Sequence, residues 1–127
     1  MTEQVSIEAM NETIARFEGR KKTLVNQKGK QYVFWSDPTG TNPLYIEGLW
    51  YHESWDELMP VVKKIGDFLQ EDLKKRPPHT ATHGDMIEVD IHCWIRLVNI
   101  KKTHEFVYQF IDWHNEYIKN TSICQSK

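Results

Sequence analysis

The stretch Ser54-Trp-Asp-Glu-Leu-Met-Pro-Val-Val-Lys-Lys-Ile65 declares a fold element more plainly than any other part of the chain. Ser54 and Glu57 stand at Ser-x-x-Glu spacing, the capping box in which each side chain satisfies a free amide of the other at a helix start. From there Leu58, Val61, Val62, Ile65, Phe68, Leu69 and Leu73 share one side of a wheel turning about 100° per residue. Lys63, Lys64, Asp67, Glu71 and Lys74 take the opposite side. Pro60 falls in the first turns, where it removes at most one backbone bond. Arg76-Pro77-Pro78 closes the element. The pattern predicts an amphipathic helix with a wide core face.

The flanking chain supplies two further helices. Near the C-terminus Phe106, Val107, Phe110, Ile111, Trp113, Tyr117 and Ile118 fill an apolar arc, which predicts a helix from an N-cap at Thr103 to Tyr117 or Ile118. His114 falls within that arc and is expected as a core histidine satisfied by backbone or a tyrosine, in preference to a base in a pocket. Near the N-terminus Ile7, Met10, Ile14 and Phe17 make a narrow stripe over residues 5–18, with Gly19 as a left-handed terminator. Residues 22–35 read as a β-hairpin around Lys28-Gly29-Lys30, and Leu44-Tyr45-Ile46 as a short further strand. Over residues 86–97 apolar and polar side chains alternate. Ile87, Val89, Ile91, Cys93, Ile95 and Leu97 oppose Glu88, Asp90, His92, Trp94 and Arg96, the period of a half-buried strand. The sum is an α+β fold: a small antiparallel sheet of three to four strands, with three helices packed mainly on one face.

A length of 127 residues fits one domain, with residues 1–4 and 120–127 expected to fray. The net charge of −2 offers no global field for DNA or an anionic membrane. No segment approaches about 20 consecutive apolar residues, so no membrane span is expected. Cys93 and Cys124 show no spacing pattern, which fits a reduced, cytoplasmic protein better than a secreted framework, and a disulfide between them is the open alternative because sequence does not give their separation.

Three constellations bear on chemistry. On a strand, Glu88, Asp90 and His92 share one face and are the candidates for a divalent metal or an acid–base set, with His79 and His83 in the preceding loop as further ligands. The expected reading of that face is nevertheless a solvated one, with no metal and no catalytic residue, since no HExxH, CxxC or EF-hand spacing accompanies it. Lys21, Lys22, Lys28 and Lys30 on the hairpin, near Trp35, Tyr45, Trp50, Tyr51 and Trp55, are the candidates for nucleic-acid binding. Without an RNP or cold-shock pattern, packing is the favoured role of those aromatics. Cys93, on the apolar side of its strand, reads as a buried structural thiol. No Walker or GxGxxG pattern is present, and no cofactor is expected.

Ser54 to Ile65 resembles a run shared by small uncharacterised proteins of phages, prophages and Bacteroidetes-type bacteria, Trp-Asp-x-Leu-Met-Pro-Val-Val-x-Lys-Ile. Ile14-Ala-Arg-Phe17 with Gly19, and Phe110-Ile-Asp-Trp113-His-Asn115, look like the first and closing helices of that group. Glu18 departs from it, standing where those proteins often carry an apolar residue. The resemblance implies an intracellular accessory protein of mobile-element origin and carries over no site residue. The expectation is a non-enzymatic interaction domain that binds an unidentified protein or itself. Nucleic-acid binding through the hairpin and a metal-dependent hydrolase on residues 86–97 are the alternatives.

Overall fold

The computed structural model describes residues 5–36, 49–77 and 80–125, with side chains as far as Lys119. The elements run α1 (Ile7–Glu18), β1 (Lys22–Gln27), β2 (Lys30–Trp35), α2 (Trp55–Lys75), α3 (His83–Arg96) and α4 (Ile100–Gln125). The α+β class is as expected, but the balance differs. Among the described residues four helices replace three, and a two-stranded antiparallel sheet stands instead of three or four strands. The strand expected at Leu44–Ile46 lies outside the described residues, as do Tyr45 and His79.

The quoted stretch forms α2 as its pattern requires, and Leu58, Val61, Val62, Ile65 and Leu69 are buried. Only half of the expected capping box closes. Ser54 Oγ accepts from the Glu57 amide at 3.4 Å. The Glu57 carboxylate, however, accepts from the Trp50 amide at 3.1 Å and so ties the turn before the helix. The Ser54 amide donates to the Trp50 carbonyl.

The reciprocal capping box belongs to α3, between Thr82 and Asp85. This overturns the strand expected at residues 86–97, and the physical reason is geometric. In a helix of 3.6 residues per turn, positions i and i+2 lie about 200° apart. Ile87, Ile91 and Ile95 therefore form one i, i+4 stripe, and Val89, Cys93 and Leu97 form a second on the opposite side. Interleaved in sequence, the two stripes mimic strand alternation. Ile87 and Ile91 are buried, whereas Val89, Cys93 and Leu97 are exposed.

After α3 the chain reverses in three residues. Val98 takes a left-handed φ of 55°. Its amide donates to Ile95 O and that of Asn99 to Trp94 O, the paired bonds of a Schellman ending. Asn99 Oδ1 then accepts from the Lys102 amide at 3.0 Å, so Asn99 caps α4 in place of the expected Thr103. Thr103 is fully buried, with its hydroxyl donating to Asn99 O.

The helices pack on one another instead of across a sheet. α4 touches α1, α2 and α3, and its Val107, Phe110 and Ile111 are fully buried with Ile14, Ala15, Leu58, Val61, Ile65 and Ile91. The hairpin pairs in the register Lys22↔Trp35 to Gln27↔Lys30 and turns through Lys28 and Gly29, both at positive φ. Its base is anchored to α1 by Trp35, which is buried, and by Lys22 near Glu12 at 3.5 Å.

The start of α3 is clamped to α4 at Gly84. A Cβ there would lie 2.7 Å from Trp113 Cε3. Trp113 stacks on Tyr117 at 4.6 Å, Tyr117 Oη donates to the Asp72 carboxylate, and Arg76 pairs with both Asp72 (2.9 Å) and Asp85 (2.7 Å). The ends of α2 and α3 and the middle of α4 are thus joined through one ring stack. Gly84→Ala should cost about 2 kcal/mol or more, because a rigid indole backed by Tyr117 must move to admit one methyl. Urea unfolding of the two forms measures this, and equal midpoints would remove the clamp from the account.

Candidate functional site

The structure disperses the residues that sequence spacing had grouped. Glu88 and His92 face the same side of α3, with 3.8 Å between His92 Nε2 and Glu88 Oε2. Asp90 lies about 200° from Glu88 around the helix axis. His83 is exposed at the first position of α3. Among the described residues no three His, Cys, Asp or Glu side chains are grouped to hold a metal ion.

The basic residues are also split. Lys21 and Lys22 sit at the base of the hairpin, and Lys28 and Lys30 at its tip, about 17 Å away at 3.4 Å per residue. Alternation along the register puts Lys22 and Lys30 on opposite faces. Of the aromatics, Trp35 and Tyr51 are buried, Trp55 packs partly against the core and Trp50 is half-exposed beside His52.

Two buried polar networks were not anticipated. In the first, Asn11 of α1 donates to the Leu49 carbonyl (3.1 Å) and lies 2.9 Å from His52 Nδ1 and 2.8 Å from His104 Nε2. The Leu49 carbonyl fixes the orientation of the Asn11 amide. His52 Nδ1 must then accept, and His104 must carry its proton on Nε2 to donate to Asn11 Oδ1. Burial, together with the neighbouring His52, holds the His104 pKa down to about 4. In the second network the Glu18 carboxylate accepts from Tyr51 Oη and from Arg20 Nε, while Arg20 Nη1 donates to the Ser36 carbonyl. Burial and the hydrogen bond to Glu18 raise the Tyr51 pKa. These networks join α1 to the loop before α2, to α4 and to the hairpin base. The inner face of α1 is therefore Asn11, Ile14, Ala15 and Glu18, rotated from the stripe that apolarity alone predicted. Glu18, the departure from the resemblance noted above, is an integral buried group.

His52 and His104 border a cleft of about 520 Å³ with Met10, Lys101 and Glu105. The cleft's described lining has no hydroxyl or thiol nucleophile, and the His104 Nε2–H is already committed to Asn11. Both imidazoles are engaged with Asn11 there.

The surface feature that stands out is the outer side of α3. Met86, Val89, Leu97 and Val98 are 61–74 % exposed, and Cys93, also exposed, lies in the same stripe. Cys93 is thus a surface thiol and not the buried one expected. Val98 also borders a shallow apolar depression with Trp55, Met59 and Ile95. The stripe continues onto the α3–α4 turn and towards the start of α2. A helix with apolar residues on two opposite sides ordinarily has both sides covered.

Comparison with family models, with curated proteins and with solved structures finds no match. Among the described residues no helix is long and apolar enough to cross a membrane.

The histidine network has a pH signature. His104 has a folded pKa of about 4 against 6.5 for the free side chain, so folding favours its neutral form. Its contribution is complete above pH 6.5 and is lost as pH falls through 6.5 towards 4. The slope is about 1.4 kcal/mol per pH unit, or about 3 kcal/mol across the window. His104→Gln keeps an N–H for Asn11 and removes the titration. Denaturant unfolding at a series of pH values should show a flatter acid limb for the variant, and unchanged slopes would contradict the assignment.

Proposed function

We propose that this is a non-enzymatic interaction domain, that the outer side of α3 is its contact surface, and that the occupant is the same surface of a second copy. The observation that carries the reading is the exposed stripe Met86–Val89–Cys93–Leu97, continued by Val98. An apolar stripe at helical spacing is matched by a second such stripe across a two-fold, with the exposed Asp90, on the same side of α3, at the rim of the contact. An accessory role of mobile-element origin, implied by the resemblance at Ser54–Ile65, is compatible with such a module.

Val98 adds weight. A β-branched residue at positive φ is disfavoured by about 1–2 kcal/mol, and glycine is the usual occupant of this position in a Schellman ending. Val98 is 74 % exposed, so its side chain is little compensated by burial within its own chain. A strained, exposed and apolar residue at the end of an apolar stripe fits selection for contact better than selection for monomer stability.

Sedimentation equilibrium tests the proposal. The chain should populate a dimer that Val89→Lys disperses to monomer without loss of helix, because lysine suits an exposed helical site at least as well as valine. Val98→Gly should stabilise the fold by about 1 kcal/mol while weakening the dimer. A parent chain that stays monomeric at millimolar concentration would falsify the choice of occupant.

A further inference from the structure

On the side formed by α1, α2 and α4 a cleft of about 400 Å³ opens between Arg16 and Phe17 of α1, Lys64 and Phe68 of α2, and His114 and Asn115 of α4. The volume falls in the range of small-molecule sites. Thr13 completes the described lining, which contains two permanent cations and no carboxylate.

The groups are fixed in place. Lys64 Nζ donates to the Phe17 carbonyl at 2.6 Å and lies 5.2 Å from the centre of the Phe17 ring. One of its three protons is thereby used, and no ion pair to Lys64 forms among the described residues. Arg16 is held by Glu12 at 2.9 Å and lies over the Trp35 ring at 5.8 Å. The His114 imidazole meets Phe17 and Phe68 edge to face, with centroids at 5.1 and 4.5 Å, and lies 6.3 Å from Phe110 in a stacked orientation. Its Nδ1 is 3.4 Å from Asn115 Oδ1. Burial, opposed by the hydrogen bond to Asn115 and aided by the Lys64 ammonium, lowers its pKa and disfavours the charged ring between its aromatic neighbours. The expected core histidine is in fact the half-buried wall of this cleft.

We infer that this cleft is a binding site for a small aromatic anion, its carboxylate or phosphate held by Lys64 and its ring set against Phe17, Phe68 and His114. An ammonium with two protons to spare, pinned at the mouth of an aromatic-walled cleft without a carboxylate, favours a ligand that is negative at one end and flat and apolar at the other. Inorganic phosphate would satisfy the first requirement alone, and a neutral aromatic the second alone. The inference is independent of the contact surface on α3, which lies on another helix.

Four probes separate these terms: benzoate, phenyl phosphate, inorganic phosphate and benzamide, each titrated into the chain and followed by amide and imidazole chemical shifts. Saturable shifts at residues 13–17, 64, 114 and 115 are expected for benzoate and phenyl phosphate, with affinity at least about tenfold above that for inorganic phosphate or benzamide. That ratio corresponds to about 1.4 kcal/mol, the contribution of one charge-assisted hydrogen bond. Asn115→Asp places a carboxylate in the cleft at an exposed position and should abolish anion binding with no change in unfolding midpoint. Lys64→Gln should weaken it at least about tenfold and Lys64→Arg should restore it. If α1 loosens in Lys64→Gln through loss of the Phe17 carbonyl bond, the Asn115→Asp result stands alone. No saturable shift with either aromatic anion, equal shifts with benzamide, or full binding by Asn115→Asp would each overturn the inference.

Discussion

The structure turns on the burial of one side of α4. Val107, Phe110 and Ile111 are fully enclosed, and the three surfaces that enclose them come from α1, α2 and α3. Each of those helices is amphipathic and turns its buried side into this shared core. The hairpin is a marginal appendage by comparison, since two strands alone bury too little to stand independently. It is held through its base, where Trp35, Ser36, Arg20 and Tyr51 meet. Removing α4 would leave three helices with uncovered cores, whereas shortening the hairpin tip would touch none of them.

Much of this could be seen in advance, and the failures have definite causes. α2 was legible because its apolar face, cap and terminator agree, so propensity and packing lead to one answer. α3 was not, because isoleucine, valine and cysteine fall at alternate positions while the element is a helix with two apolar sides. The Thr82-x-x-Asp85 capping signal was the one local cue to the helix, and it stands among residues that otherwise read as loop. The candidate metal face of Glu88, Asp90 and His92 fell with the strand that had aligned them. The polar networks were beyond sequence reasoning for another reason. Asn11 and His104 are separated by 93 positions and Glu18 and Tyr51 by 33, so only the packed fold makes them neighbours.

What remains on the surface after packing is informative because so much is resolved inside. Asn11 is fully partnered, Glu18 is paired, and the ends of α2 and α3 are tied through Arg76. Against that well-satisfied interior, a helix with an apolar outer stripe and a strained valine at its end is an inconsistency within the isolated chain. Such inconsistencies tend to mark function, because a sequence selected for monomer stability alone would remove them. The contact proposed for the outer side of α3 rests on that inconsistency.

Cys93 reports on that claim directly, since it is a native thiol within the stripe. Its rate of alkylation by a maleimide, followed by peptide mass over a range of protein concentrations, measures whether the α3 surface is covered. If α3 pairs with a second copy, the rate falls as concentration rises and Val89→Lys abolishes the protection. A rate that is the same from micromolar to millimolar chain would contradict it.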